Sequence, residues 1–241
     1  MVHTTEDYSS KYKATTVFPT MDLGEVAARI RPISVYDRRG NVIWYDDFEE
    51  AVLQWATTET GTGASVALTA DKCWTGSHSV KLKTGTTVGN TSLIEKSMMS
   101  PKQSKIGLEA TVIIPSYTST MDIAVWIYDG TTVTVAIIRY DFDNSKLQLY
   151  NPAGGYTDID TGVRLYTGSE MWAFIKFVVD METNKYVRLI WGNVEYDLSS
   201  YTAYTNAGAD DPKLYCSVAL TTSLGSITGY IDNIIITQNE P

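Results

Sequence analysis

Between Val42 and Thr237 the chain is a train of short runs in which apolar and polar residues alternate, each run cut off by a turn signal. A period of two marks strands that lay one face on a core and turn the other to water. In SVKLKT, Val80 and Leu82 fall on one side and Ser79, Lys81 and Lys83 on the other. In IGLEATVII, Leu108, Ala110, Val112 and Ile114 share a side. The turns are explicit: Asp129-Gly130, Asp143-Asn144-Ser145, Gly154-Gly155, Thr183-Asn184-Lys185 and Gly192-Asn193, each containing Gly, Asn or Asp, which accept tight or left-handed backbone. Val42–Phe48 reads as a strand. After it come runs at 64–69, 79–84, 91–98, 106–114, 122–128, 132–140, 145–150, 172–179, 186–191, 193–197, 213–220 and 229–237. Short strands at this spacing, without helical period, predict an all-β antiparallel sandwich or barrel. No repeat and no low-complexity linker divides residues 45–241, so they read as one domain.

Residues 1–44 have another character. They are polar, then briefly helical: in MDLGEVAARI, Leu23, Val26, Ala27 and Ile30 fall on one helical face. Asp22 with Glu25 three residues on has capping-box spacing, and Pro32 stops the helix. Two or three turns do not stand alone in water. The expectation is therefore an extended arm with a short amphipathic helix at about 22–30, whose Leu23, Val26 and Ile30 bind a partner surface.

Charge and composition exclude several classes. The formal net charge is −9 over 241 residues, and phosphate backbones need clustered Lys and Arg, so no nucleic-acid partner is expected. No run of about 18 apolar residues is present, so no spanning helix is expected. The opening MVHTTEDYSS has no basic-then-apolar leader. The two cysteines, Cys73 and Cys216, lack zinc-ligand spacing and read as free thiols in strands.

A search for catalytic patterns finds none. The two histidines are His3 and His78, and no GxSxG, P-loop, GxGxxG or HExxH run occurs. Glycoside hydrolysis needs two opposed carboxylates. The acids of Asp46-Asp47-Phe48-Glu49-Glu50 are contiguous, so they point to opposite faces, and there is no ExDxE run of the laminarinase kind. The sequence therefore predicts no enzyme and a passive surface.

Four segments in order, DDFEEAVLQWATTETGTG, CWTGSHSVKLKTG, MWAFIKFVVDMETNKYVRLIWGNVEYDLS and GYIDNIIIT, resemble the frame of jelly-roll carbohydrate-binding modules and of laminin-G-like or concanavalin-like sandwiches. The resemblance covers roughly residues 45–241 and implies an antiparallel jelly-roll β-sandwich. It also implies a structural calcium, with Glu49 and Asp232 matching the liganding carboxylates and carbonyls near Thr75–Ser77 completing the set; no other cofactor is required. The plainer reading, surface acids and a turn bond, stands beside it. Family glycan sites use aromatic platforms, which makes Trp126, Tyr128, Tyr140, Tyr150 and Tyr156 the candidates here, with core packing for Trp126 and ordinary exposure for the tyrosines as the alternative.

A motif-free sandwich behind an arm resembles phage head-decoration and tail proteins. The first expectation is thus a non-catalytic structural component of a phage-like virion, a homo-oligomer docking on copies of itself or on a capsid protein. The alternative is a carbohydrate-binding module or adhesin recognising polysaccharide.

Overall fold

The structure is a computed structural model and describes residues 37, 39–101, 104–113, 119–163 and 171–241. Residues Arg38–Pro241 form one compact unit. Leu23, Val26, Ile30 and the expected helix lie outside the described residues. The boundary expected at 44/45 falls inside the first strand.

Sixteen strands and no helix occur among the described residues. They are β1 (Asn41–Asp46), β2 (Ala56–Glu59), β3 (Ser65–Thr69), β4 (Ser79–Lys83), β5 (Thr91–Met99), β6 (Lys105–Ile113), β7 (Ser119–Tyr128) and β8 (Thr132–Asp141). They continue with β9 (Lys146–Tyr150), β10 (Tyr156–Thr161), β11 (Trp172–Asp180), β12 (Lys185–Trp191), β13 (Val194–Asp197), β14 (Tyr204–Ala207), β15 (Lys213–Thr222) and β16 (Thr228–Gln238). The first sheet runs β13-β12-β11-β6-β16-β4-β3, with β1 also on β16. The second runs β10-β9-β8-β7-β15-β5-β2, with β14 also on β8. All pairings are antiparallel. The protein is a two-sheet antiparallel β-sandwich. No helix among the described residues is long and apolar enough to cross a membrane.

The alternating residues meet between the sheets. Leu82, Leu108, Val112, Ile175 and Phe177 of the first sheet share one core with Ile123, Val125, Ile138, Leu147, Cys216 and Val218 of the second. Burial of these apolar faces is the main force holding the layers together. Both cysteines are free; Cys216 is buried and Cys73 half-buried.

Two irregularities place the functional elements. At the end of β1, Asp46 accepts from the Phe48 N–H (2.8 Å) and from the Trp55 indole (2.8 Å). These bonds hold Phe48 at a φ of 58° with its ring buried, so the DDFEE run wraps a corner instead of continuing as strand. In β16, the register on β6 slips between Asp232 and Ile235. Asn233 sits there at a φ of 50°, a conformation asparagine tolerates better than most residues. At this bulge β16 exchanges β4 for β1 as its second neighbour.

One tyrosine joins the layers. Tyr186 of β12 is fully buried and sends its hydroxyl across to the second sheet. There it accepts from the Ile137 N–H (2.9 Å) and donates to the Tyr150 carbonyl (2.9 Å). Along β8, strand β14 pairs only as far as Val135, and the pairing with β9 begins at Ile138. Ile137 lies in the gap, and the phenol supplies the partner that neither strand gives.

Candidate functional site

The second sheet turns a face away from the core that is not an ordinary solvated surface. Alternation sends Asp122, Ala124, Trp126 and Tyr128 of β7 outward, while Met121, Ile123, Val125 and Ile127 enter the core. Cross-strand register then sets their neighbours. Ser217 of β15 lies opposite Ala124 on one side and Glu95 on the other. Ala219 lies between Asp122 and Leu93, and Tyr215 between Trp126 and Ser97. On the far flank Asp122 faces Arg139, which faces Gln148, which faces Asp158.

The centre of this face is built from small side chains, Ala124, Ser217 and Ala219. Ala124 and Ser217 are only 4% and 8% exposed although they point away from the core. The taller residues around them shield them, so the small residues form the floor of a trough. One wall is Trp126 packed edge-on against Tyr215, ring centres 5.8 Å apart. The Tyr215 hydroxyl donates to Glu95 Oε2. Burial first, then this carboxylate, push the Tyr215 pKa up, so it stays a neutral donor.

The opposite wall is ionic and aromatic. Arg139 donates from Nε and a terminal nitrogen to both oxygens of Asp122, at 2.7 and 2.6 Å, a fork-to-fork pair. Its guanidinium lies 3.8 Å from the centre of the Tyr156 ring. Burial of Arg139 opposes its charge, but the Asp122 bonds outweigh that and raise its pKa. Tyr156 is also raised, by burial first and then by the Asp122 charge. Tyr150 packs against both Tyr156 and Tyr204, at 5.4 and 5.3 Å.

Of the five aromatics expected as a platform, Trp126, Tyr128, Tyr150 and Tyr156 sit on or at this face. Tyr140 does not: it points into the core at 2% exposure, against Trp191 (5.3 Å), with its hydroxyl on the Val163 carbonyl (2.7 Å). Sequence reasoning missed Tyr215, Tyr204, Glu95, Asp122 and Arg139. Arg139 was the available signal: a charged residue outward at 139 turns residue 140 inward.

Glu49 and Asp232 do meet at one corner. Asp232 Oδ2 accepts from the N–H groups of Trp74 (2.7 Å) and Thr75 (3.1 Å). Glu49 Oε1 accepts from those of Ser77 (2.7 Å) and His78 (2.8 Å). The 74–78 loop thus presents amide donors where carbonyl ligands were expected. Gly76 makes this wrap feasible: its φ is +67°, and a Cβ there would lie 2.2 Å from Glu49 Oε1. Desolvation pushes Glu49 up, but the two amides outweigh it and hold the carboxyl below its ordinary value. Asp232 is the reverse case. Burial, against which its amide bonds do not prevail, pushes it up to about 6. Its Oδ1 is buried without a hydrogen-bond partner. An orphaned carboxylate oxygen beside a second acid suits a hard cation. No group of three or more His, Cys, Asp or Glu gathers there or elsewhere among the described residues, so backbone oxygen or water would complete such a site.

No protein-family model matches the chain, and no curated protein matches it. Solved structures do. An endo-β-1,4-glucuronan lyase from the fungus Trichoderma reesei superposes with a TM-score of 0.58 at 10% identity, covering 82% of this chain and 96% of its own. The cellulose-induced protein Cip1 gives 0.51 at 14% identity, covering 80% and 96%. The carbohydrate recognition domain of Emp46p, in its potassium-bound form, gives 0.50 at 11% identity, covering 78% and 89%. These likenesses show the fold alone, a jelly-roll β-sandwich of the concanavalin-like kind.

These likenesses correct the functional expectation. A non-catalytic virion component was inferred from missing motifs, yet the same fold carries a polysaccharide lyase. Sequence motifs register only groups close together in the chain, whereas the polar side chains of the outer face, Glu95, Asp122, Arg139 and Tyr156, come from four strands and share that face only through register. The expectation of no enzyme, which rested on the missing motifs, is therefore not upheld: the fold is one that a polysaccharide lyase also adopts.

Proposed function

We propose that the protein recognises a polysaccharide on the outer face of its second sheet. The observation that carries this reading is the trough itself: a floor of Ala124, Ser217 and Ala219 between the Trp126–Tyr215 wall and the Arg139–Asp122–Tyr156 wall. Sugar rings present apolar faces that pack on aromatic rings, and hydroxyls that seek fixed polar partners. Both are offered along one strip of sheet. The carbohydrate proteins among the fold's neighbours support the same reading. The test is calorimetry and affinity electrophoresis against a panel of soluble polysaccharides, read in parallel for new chain ends. Trp126→Ala should weaken binding by at least about tenfold, the loss of one well-packed aromatic anchor. Unchanged binding by this variant would remove the face from consideration.

A structural calcium at Glu49 and Asp232 belongs to the same reading of the fold. It would tie the β1 corner to the β16 bulge and would take no part in recognition. Calcium should raise the melting temperature relative to chelator, and Asp232→Asn should abolish that rise. An identical melt with and without the ion refutes the site.

A further inference from the structure

We infer that the trough is built for a neutral polysaccharide and against uronic-acid polymers. The inference rests on the reading that this face binds glycan, and it concerns the charge of the chain bound. A polymer of uronates brings a carboxylate with every charged residue, and recognition of each needs a cation whose charge is not already matched.

Among the described residues, every cation of the second sheet is committed. Arg139 spends its fork on Asp122. Lys146 lies 2.7 Å from Asp158, which also accepts from Gln148. Lys213 sits 3.4 Å from Asp210 and over the Tyr128 ring. Lys96 is drawn away to the Trp44 ring, at 4.0 Å, and to the Gln54 carbonyl, at 2.8 Å. The acids are less evenly matched. Glu95, at the edge of the floor, takes its bond from the neutral Tyr215 phenol. An arriving carboxylate would therefore meet an uncompensated carboxylate, on a chain of net charge −9. A sugar hydroxyl would meet the same Glu95 as a strong acceptor, beside an aromatic wall. The Arg139–Asp122 pair presents no net charge but keeps its remaining guanidinium N–H groups as donors.

The experiment compares neutral β-glucan, xylan and galactan with glucuronan, alginate and polygalacturonate, on the wild type, Trp126→Ala and Asp122→Asn. A neutral polymer should bind at least about tenfold more tightly than any acidic one. That binding should be insensitive to salt and lost in Trp126→Ala. Asp122→Asn releases the Arg139 charge onto the face and should gain affinity for an acidic polymer, in a salt-sensitive manner. Melting curves of both variants confirm that they are folded. If the wild type prefers an acidic polymer and Trp126→Ala destroys that preference, the face binds glycan but the inference is overturned. If folded Asp122→Asn shows no gain, the charge-matching argument is likewise overturned. If no polymer of either kind binds, the reading of the face falls, and this inference with it.

Discussion

Replacing Tyr186 by Phe removes one oxygen atom from the middle of the sandwich and leaves its packing volume almost unchanged. The residue is fully buried, so the lost hydroxyl is not replaced by bulk water. Two backbone groups lose their partner: the Ile137 N–H and the Tyr150 carbonyl, each 2.9 Å from the phenol oxygen. An orphaned buried polar group costs about 1–3 kcal/mol, and shedding the buried phenol's own desolvation offsets part of the sum. A net loss of about 2–4 kcal/mol follows. For a unit of this size that lowers the melting temperature by about 2–4 °C per kcal/mol. Urea denaturation followed by tryptophan fluorescence measures it directly. The variant should show the wild-type slope and a lower midpoint, because the surface exposed on unfolding is unchanged. It should also bind glycan more weakly, since Tyr150 carries part of the trough wall and loses its anchor. A destabilisation below about 0.5 kcal/mol, the range of indifferent surface changes, would refute the claim that this phenol closes the gap between β14 and β9.

Two further outcomes follow from buried charge. Asp232 has its folded pKa raised from 3.8 to about 6, so its contribution is fully present below pH 3.8 and is lost as pH rises through 6. Under chelation, stability should fall by at most about 3 kcal/mol between pH 4 and 7.5 from this group, and Asp232→Asn should remove that slope in pH-scanned melts. Lys176 is fully buried, 2.9 Å from Glu240 and 3.7 Å from Glu109. Lys176→Met takes the ammonium away from both carboxylates, while Arg188 stays on Glu240, and should cost up to about 3–5 kcal/mol, with Lys176→Met/Glu109→Leu recovering part of the loss in urea titrations.

The parts of the fold legible in the sequence are those whose two faces differ. Val80 and Leu82, and Leu108, Ala110 and Val112, alternate with polar neighbours, and all reach the core. Strands β2, β10 and β14 were not foreseen. Ala56–Glu59 is exposed throughout, and Tyr204–Ala207 nearly so, because an edge strand with little to bury carries no periodic signal. Tyr140 was expected outward because both faces of TVTVAIIRYD are largely apolar, and Arg139 is the one cation in the run that fixes its parity. The trough was invisible for another reason. Its members are spread from Glu95 to Ser217, and only the pairing register brings them into adjacent rows. A slip of one residue in β15 would replace Tyr215, Ser217 and Ala219 on that face by Leu214, Cys216 and Val218.

The small residues of the floor are hard to explain by stability. A sheet face turned to water is best served by β-branched, aromatic or charged side chains that cover the backbone and pair across strands, and alanine is a poor strand former. Where this sheet meets the core it uses Val, Ile and Leu freely, and at its ends it uses Thr: Thr91 and Thr221 bond each other at 2.8 Å. The central outward row instead runs Glu95, Ser217, Ala124 and then Ile137, so the two middle strands β15 and β7 carry small side chains where larger ones would pack best across strands. The flanking rows do the opposite, with a locked ion pair and interlocked aromatic rings. A surface selected for folding alone has no reason to stay thin in the middle and rigid at the sides. One that must admit an extended chain of rings has reason for both, since rigid walls lower the ordering cost of binding and a low floor leaves the space.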